Sequence, residues 1–215
     1  MSYVPFDKWA LRAQKEGYAA RSAYKLVDID CRFHVFKKGD LVLDLGCAPG
    51  SWIQVAADKI GTKGFIIGVD LEPLKIKKPL NLSFIKKDIY DQDLNQVINK
   101  VVNPDAPRGS GLRPERRRKK FDIVLSDLSP KTTGQKDIDQ WKAHELALKV
   151  LDIIKIELKK SGRAVIKVFE GPDTPEIIKL CKEIFKRVHL IKPMASTKGS
   201  KETYIVAIDK KSFLS

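Results

Sequence analysis

The chain has 215 residues, the length of about one domain, and 43% of them are hydrophobic, which excludes a disordered or collagen-like polypeptide. No run approaches the roughly 18 uncharged apolar residues of a membrane-spanning helix, so we expect no membrane partner. Lys and Arg total 41 against 27 Asp and Glu, a formal net charge of +14. Because so basic a protein attracts negatively charged polymers, the composition predicts a polyanionic partner.

The cysteines and histidines indicate a reducing compartment and no metal site. The three cysteines are widely spaced and form no C-x-x-C pair, and the three histidines are equally scattered. A zinc site or a disulfide framework would require a closer spacing. The N-terminal residues lack the continuous apolar segment of a secretory signal, which favours the cytoplasm. The residues concerned are Cys31, Cys47, Cys181, His34, His144 and His189.

The elements predicted from the sequence alternate between helix and strand. Residues 7–33 predict one or two helices rich in Arg and Lys, within an N-terminal extension of about residues 1–38. Strand-like apolar runs then recur, at residues 41–45, 65–70, 82–88, 121–127, 163–169, 186–191 and 203–208. Segments with helical spacing lie between these strands: residues 51–60, a short stretch through about Lys100, and a long segment from near Lys136 to Lys159. A last helix is predicted from Thr174 to Phe185, with Thr174 as its cap and Pro175 at its first position.

This alternation is typical of an α/β sandwich around a mainly parallel sheet. Only a loop separates the last two strands, so we expect one of them to run antiparallel. Residues 103–120 interrupt the pattern: they hold seven Arg or Lys and two acidic residues, a net +5, with three prolines and two glycines. We interpret this segment as an exposed basic insertion within one domain that spans residues 1–215.

A glycine-containing turn follows the first strand, and acidic residues end the next two. Gly46 and Gly50 lie in DLGCAPGSW, residues 44–52, where a strand passes into a helix and backbone can approach a ligand closely. The spacing is neither that of a dinucleotide fingerprint nor that of a P-loop. Asp70 could accept hydrogen bonds from ribose hydroxyls, and Asp88 from an exocyclic purine amine. Each acid alone is more often a cap or a solvated loop residue, but together they predict a ligand that contains adenosine.

Four segments together resemble the FtsJ/RrmJ family of S-adenosylmethionine-dependent RNA ribose 2′-O-methyltransferases, over about Arg12 to Asp209. They are residues 44–52 (DLGCAPGSW), 127–134 (DLSPKTTG), 167–171 (KVFEG) and 200–206 (SKETYIV). The resemblance implies a Rossmann-like class I methyltransferase fold, with a seven-stranded, mainly parallel sheet, one antiparallel strand and helices on both faces. It also implies S-adenosyl-L-methionine as the cofactor, bound by Gly46, Gly50, Trp52, Asp70, Asp88 and Asp127.

The same resemblance matches the family's Lys-Asp-Lys-Glu tetrad to Lys25, Asp127, Lys167 and Glu202. Methyl transfer needs the hydroxyl oxygen, the methyl carbon and the sulfur in line, and a group that helps the hydroxyl lose its proton. Lys167 is the best candidate, because a lone lysine in the apolar strand RAVIKVF is costly unless it faces a site. A free lysine is almost entirely cationic at neutral pH. Lys167 is therefore either a base, if its neighbours favour the neutral form, or a cation that stabilises the developing alkoxide.

Two positions depart from the family pattern and bear on RNA contact. Residues 18–21 (YAAR) keep only one of two usual arginines, Arg21, and Thr197 stands where arginine ends the K-P-x-x-S-R motif. The basic segment 103–120 either replaces this missing charge or is only a solvated loop.

The sequence therefore predicts a monomeric enzyme that methylates a uridine 2′-hydroxyl of large-subunit ribosomal RNA. A methyltransferase of the tRNA anticodon loop is the second hypothesis, since residues 21–30 (RSAYKLVDID) share a segment with that subgroup. A base-nitrogen methyltransferase is disfavoured because residues 126–130 offer no aromatic side chain to stack a flipped base. A non-catalytic RNA-binding module with this fold is disfavoured because all four tetrad residues are present.

Overall fold

The computed structural model describes residues 7–104, 119–131, 133–197 and 199–212, and within them helices and strands alternate along the chain. The helices are α1 (Lys8–Lys15), α2 (Ala23–Phe33), α3 (Ser51–Ile60), α4 (Leu94–Val102), α5 (Lys136–Glu157) and α6 (Thr174–Ile184). The strands are β1 (Leu41–Leu45), β2 (Phe65–Asp70), β3 (Leu82–Lys86), β4 (Phe121–Ser126), β5 (Leu158–Phe169), β6 (Phe185–Ile191) and β7 (Glu202–Lys210). Most of the predicted basic insertion, residues 105–118, lies outside the described residues. In the described ranges no helix is long and apolar enough to cross a membrane.

The seven strands form one sheet in the order β3-β2-β1-β4-β5-β7-β6. The pairs from β3 through β5 are parallel, and β7 runs antiparallel to both β5 and β6. The expected mainly parallel sheet is confirmed, and its antiparallel strand is β7. The chain leaves β1 towards β2 and β3 and then returns to the other side of β1. In open parallel sheets a ligand crevice lies at the carboxyl ends of the strands beside such a reversal.

Helices cover both faces of the sheet because the strands are apolar on both sides. One core packs α4, α5 and α6 against the sheet, and the other packs α2 and α3 against the opposite face. Neighbouring residues of β5 point into different cores: Ile166 packs in the first core and Val165 in the second. Because side chains two residues apart share a face, Lys167 projects on the same side as Val165, towards α2.

A buried ion pair holds the amino end of the sheet together. Nη2 of Arg163 in β5 lies 3.0 Å from both carboxylate oxygens of Asp40, the residue before β1. Nη1 of Arg163 donates to the carbonyl of Val35 at 2.7 Å. The backbone N–H of Lys37 completes the set by donating to Asp40 at 2.7 Å. Burial nevertheless raises the pKa of Asp40, against the opposing charge of Arg163. With both charged groups hydrogen-bonded, β5 is fixed to the segment that leads into β1.

The predicted ends of α5 and α6 differ in detail from the structure, where α6 ends at Ile184, one residue before the predicted Phe185. Helix α6 begins at Thr174 itself, with Asp173 as its N-cap, so Pro175 occupies the second position and Thr174 is not the cap. The Thr174 hydroxyl instead accepts from the N–H of Gly171 at 2.9 Å and donates to the carbonyl of Phe169 at 3.2 Å. Helix α5 ends at Glu157, before the predicted Lys159, because the chain enters β5 at Leu158.

Candidate active site

The register of two antiparallel strands places Lys167 and Glu202 on the same side of the sheet. Lys167 of β5 lies opposite Tyr204 of β7, and Phe169 lies opposite Glu202. Residues directly opposed across an antiparallel pair share a face, as do residues two positions apart on one strand. Both charged side chains therefore point towards α2 at the carboxyl end of β5.

The other two predicted tetrad residues reach this point from β4 and α2. Asp127 follows the last residue of β4, and Lys25 lies in the first turn of α2. Nζ of Lys167 is 3.3 Å from Oδ1 of Asp127 and 3.4 Å from Oε2 of Glu202. Nζ of Lys25 donates to the other oxygen of Glu202. The structure thus brings the four residues into one chain of alternating charge, and their catalytic roles stay predictions.

The four side chains are enclosed but still open to a substrate. Lys25 and Lys167 are each 9% exposed, Glu202 is 14% exposed and Asp127 is 17% exposed. Burial alone would raise the pKa of Glu202, but the charge of Lys167 and the hydrogen bond from Lys25 hold that pKa below its ordinary value. Glu202 is therefore an anion at neutral pH, and it can fix both lysines at once.

Tyr204 belongs to the same cluster, although the sequence alone predicts no role for this residue. Its hydroxyl lies 2.7 Å from Oδ1 of Asp127 and 2.9 Å from Oε1 of Glu202. Burial, followed by the two neighbouring carboxylates, raises the pKa of Tyr204 far above its usual value, so the group stays a phenol with one proton to donate. A signal was available: Tyr204 follows Glu202 by two in a strand, and a buried tyrosine hydroxyl needs a partner.

The glycine turn lies at the carboxyl end of β1, next to this cluster. Gly46 and Gly50 have φ values of 78° and 115°, which favour glycine. A Cβ at Gly46 would meet Leu128 at 2.7 Å, and a Cβ at Gly50 would meet Ile76 at 2.7 Å. The turn therefore needs glycine at both positions to pack against this chain's own side chains. Their predicted contacts with a cofactor stay predictions.

The predicted adenosine-binding acids lie at the carboxyl ends of two neighbouring strands. Asp70 is the last residue of β2, whereas β3 ends at Lys86, so Asp88 lies two residues beyond the strand predicted to include it. One oxygen of Asp70 accepts from the N–H of Ala48 at 2.8 Å, and the other accepts from the N–H of Glu72 at 2.9 Å. Asp88 accepts from the N–H of Tyr90 at 3.0 Å. Asp70 thus holds the glycine turn in place. Each carboxylate oxygen also has a further lone pair to offer to a ligand.

Trp52, the last predicted cofactor contact, lies in the first turn of α3 and is only 2% exposed. Its indole N–H donates to the carbonyl of Ser22 at 2.9 Å. Its ring centroid lies 5.7 Å from that of Tyr204. Both polar and apolar parts of Trp52 are therefore occupied by protein.

The charges at this edge fit S-adenosylmethionine. Asp44 is the last residue but one of β1 and is fully buried, and neither of its carboxylate oxygens has a hydrogen-bond partner in the part of the chain that the structure describes. Burial, followed by the charges of Asp127 and Asp70, raises the pKa of Asp44 well above its usual value. A ligand with an ammonium and a sulfonium group would complement such an acidic site. We expect Asp127 to contact this cationic end, and Asp70 and Asp88 to contact the adenosine.

Arg21, the arginine that the chain keeps, contacts Thr197, which stands where the family pattern has arginine. Nη2 of Arg21 donates to the hydroxyl of Thr197 at 2.7 Å, and Nη1 pairs with Asp7. The N–H of Met194 donates to Asp28 of α2 at 3.0 Å. These contacts fix the loop before β7 against the segment that leads into α2.

Comparison with known proteins bears on both sequence and fold. The model of the FtsJ-like methyltransferase family matches residues 18–210. Ribosomal RNA large subunit methyltransferase E of Bdellovibrio bacteriovorus is 39% identical over 211 residues, which cover 98% of this chain and 100% of that protein. A Plasmodium falciparum protein assigned as a ribosomal RNA methyltransferase has a crystal structure that matches with a TM-score of 0.75 at 28% identity, covering 90% of this chain and 98% of that one. Aeropyrum pernix fibrillarin, solved with natively bound S-adenosyl-L-methionine, shares the fold, with a TM-score of 0.57 at 15% identity over 93% and 76% of the two chains.

Proposed function

The chain belongs to the FtsJ-like methyltransferase family and is an S-adenosylmethionine-dependent RNA methyltransferase; on this premise we propose that it methylates the 2′-hydroxyl of a uridine in large-subunit ribosomal RNA. The observation that carries the proposal is the position of Lys167, with Nζ between the carboxylates of Asp127 and Glu202, next to the glycine turn. Relatives across most of the chain are named for large-subunit ribosomal RNA. We further propose that residues 1–215 form one domain that acts as a monomer in the cytoplasm, since all four tetrad residues come from one chain and its three cysteines are free.

In this proposal the site holds the acceptor ribose against Lys167. Bound S-adenosylmethionine supplies a methyl group on a positively charged sulfur, a carbon open to attack by oxygen. Lys167 lies where it can take the hydroxyl proton if neutral, or stabilise the developing alkoxide if cationic. Glu202 and Asp127 fix the position of its Nζ atom, and Lys25 fixes Glu202 from the other side. These contacts keep the Lys167 side chain pointed towards the acceptor hydroxyl, and an in-line transfer requires this orientation.

The test measures methyl transfer from radiolabelled S-adenosylmethionine to three substrates: naked large-subunit ribosomal RNA, isolated large subunits and tRNA. We expect label in the ribosomal RNA of one or both of the first two. Because alkaline cleavage of RNA uses the 2′-oxygen as nucleophile, the labelled position should resist alkali. Label on tRNA alone would favour the anticodon-loop hypothesis, and label on a base would contradict ribose methylation.

Lys167→Ala is the matched control for this assay. It should abolish transfer and leave the affinity for S-adenosylmethionine within a few-fold, because Lys167 lies on β5 and not on the glycine turn. Calorimetric titration measures that affinity. A large loss of cofactor binding would make Lys167 a structural residue and would remove the main support for the proposed mechanism.

A further inference from the structure

Trp52 joins the helix of the cofactor turn to the helix that carries Lys25. Its indole N–H donates to the carbonyl of Ser22 at 2.9 Å. The backbone N–H of Lys25 donates to the same carbonyl at 3.1 Å. One oxygen atom therefore accepts both from Trp52 and from the backbone of a predicted catalytic lysine.

A second hydrogen bond reinforces this junction. The hydroxyls of Ser22 and Ser51 lie 2.7 Å apart. Ser22 is the N-cap residue of α2, yet its side chain does not cap that helix. Since Ser51 and Trp52 begin α3, two adjacent residues of α3 hold the start of α2.

Trp52 also supports the far end of the Lys25 side chain. Its ring packs on Tyr204 with 5.7 Å between centroids and 38° between planes. Nζ of Lys25 lies 5.8 Å from the Tyr204 ring centroid, and the Tyr204 hydroxyl contacts Glu202, which binds Lys25. The indole thus fixes Lys25 both at its backbone and at its ammonium group.

We propose that Trp52 is a positioning residue for Lys25, and not a direct contact of the cofactor as the family resemblance implies. The inference rests on the proposed function, because it assigns Lys25 a part in methyl transfer. It explains why a tryptophan with 2% exposure stands two residues after Gly50. Phenylalanine would supply the ring but would leave the Ser22 carbonyl without its indole donor.

The experiment uses Trp52→Phe in the full chain. Misplacing a catalytic group by about 1 Å can cost on the order of 100-fold, so we expect kcat to fall by about 10-fold or more. The KM and the Kd for S-adenosylmethionine should stay within about two-fold. Trp141→Phe is the matched control, since Trp141 is 61% exposed on α5 and should leave kcat unchanged. A raised cofactor Kd with unchanged kcat would overturn the proposal in favour of direct cofactor contact.

A double-mutant cycle tests whether the effect passes through Lys25. In a single-turnover assay, Trp52→Phe should cause no further loss in a Lys25→Ala background, whereas full additivity would overturn the proposal. If Trp52→Phe does not fold, Ser51→Ala loosens the same junction and should show a smaller loss of kcat with the same dependence on Lys25.

Amide hydrogen exchange separates this inference from the proposed function. The Lys25 amide should exchange faster in Trp52→Phe, or in Ser51→Ala, than in the wild-type chain. Unchanged exchange would overturn the positioning role even if the wild-type enzyme is active. If the wild-type chain is inactive but the Lys25 amide still exchanges faster in the variant, the proposed function is contradicted, and the contact between Trp52 and the start of α2 remains supported.

Discussion

Replacing Tyr204 with phenylalanine removes a hydroxyl that contacts both tetrad carboxylates and keeps the buried ring. The hydroxyl lies 2.7 Å from Asp127 and 2.9 Å from Glu202. A hydrogen bond to a charged group contributes about 1.5–3 kcal/mol, and each 1.4 kcal/mol is about ten-fold in rate. If this contribution is lost from the transition state, we expect kcat to fall by about 10- to 150-fold. The Kd for S-adenosylmethionine should change little, because the hydroxyl faces the tetrad.

The same substitution should shift the pH dependence of turnover. The Tyr204 hydrogen bond is one of the interactions that hold the pKa of Glu202 below its ordinary value, so this pKa should rise in the variant. Glu202 must be ionised to hold Lys25, and the acid limb of kcat should therefore move to higher pH. The stability that ionised Glu202 contributes is lost as pH falls from its unfolded-state pKa through its lower folded-state pKa. In the variant the folded-state pKa is higher, so this loss should be smaller and should be complete at a higher pH.

The assay is kcat at saturating RNA and cofactor between about pH 4 and pH 8, the range that contains the ordinary carboxyl and histidine values. Tyr24→Phe is the matched control, because its hydroxyl donates at 2.9 Å to Glu16, a carboxylate outside the tetrad. An unchanged kcat and acid limb in Tyr204→Phe would refute the reasoning. Equal effects in both variants would also refute it, since they would not depend on the tetrad.

Three further predictions concern cofactor, stability and RNA. Asp70→Ala should weaken S-adenosylmethionine by about 2–3 kcal/mol in calorimetry, and saturating cofactor should restore much of the turnover; negligible turnover at saturation would contradict a ribose-binding role. Lys210→Met should lower the free energy of unfolding by about 1.5–3 kcal/mol in chemical denaturation, because Nζ of Lys210 donates to three backbone carbonyls at the end of α5. Burial lowers the pKa of Lys210 to about 8, whereas an unfolded lysine has a pKa of about 10.4. The folded chain therefore loses this proton at lower pH than the unfolded chain, so wild-type stability should rise between about pH 8 and pH 10, a rise that the variant should lack. Neutralising the basic insertion should flatten the salt dependence of RNA affinity by about 0.7 in log–log slope per lost phosphate contact, and parallel slopes would show a merely solvated segment. The residues to replace are Arg113, Arg116, Arg117, Arg118, Lys119 and Lys120.

Local sequence signals were enough to predict where the elements lie. Helix α3 has the predicted bounds because glycine stands at both of its ends, Gly50 and Gly61. The first residues of β5 escaped prediction because they depend on a distant partner. Leu158 pairs with Phe121 of β4 ahead of a register shift, and no local pattern shows such a pairing. Tertiary contacts of this kind override local propensity.

The candidate site was predictable in its residues but not in its connections. Lys25 and Glu202 are 177 residues apart in sequence, and only the docking of α2 against β7 brings them together. Family resemblance identified them without revealing this contact. The same limit applies to Trp52: its motif predicts a ligand contact, and its hydrogen bond to Ser22, which depends on how α2 packs on α3, has no local signal in the sequence.

The buried ion pair of Arg163 and Asp40 has a consequence for how stability and activity respond to substitutions. Arg163 and Lys167 lie on one face of the same strand, four residues apart, which is about 13 Å along β5. Arg163 thus ties the middle of β5 to the segment before β1, and Lys167, for which we propose a catalytic role, lies towards the carboxyl end of the same strand. Because the effects of substitutions more than about 7–10 Å apart usually add, we expect changes at Arg163 or Asp40 to alter the free energy of unfolding with little effect on the barrier to methyl transfer.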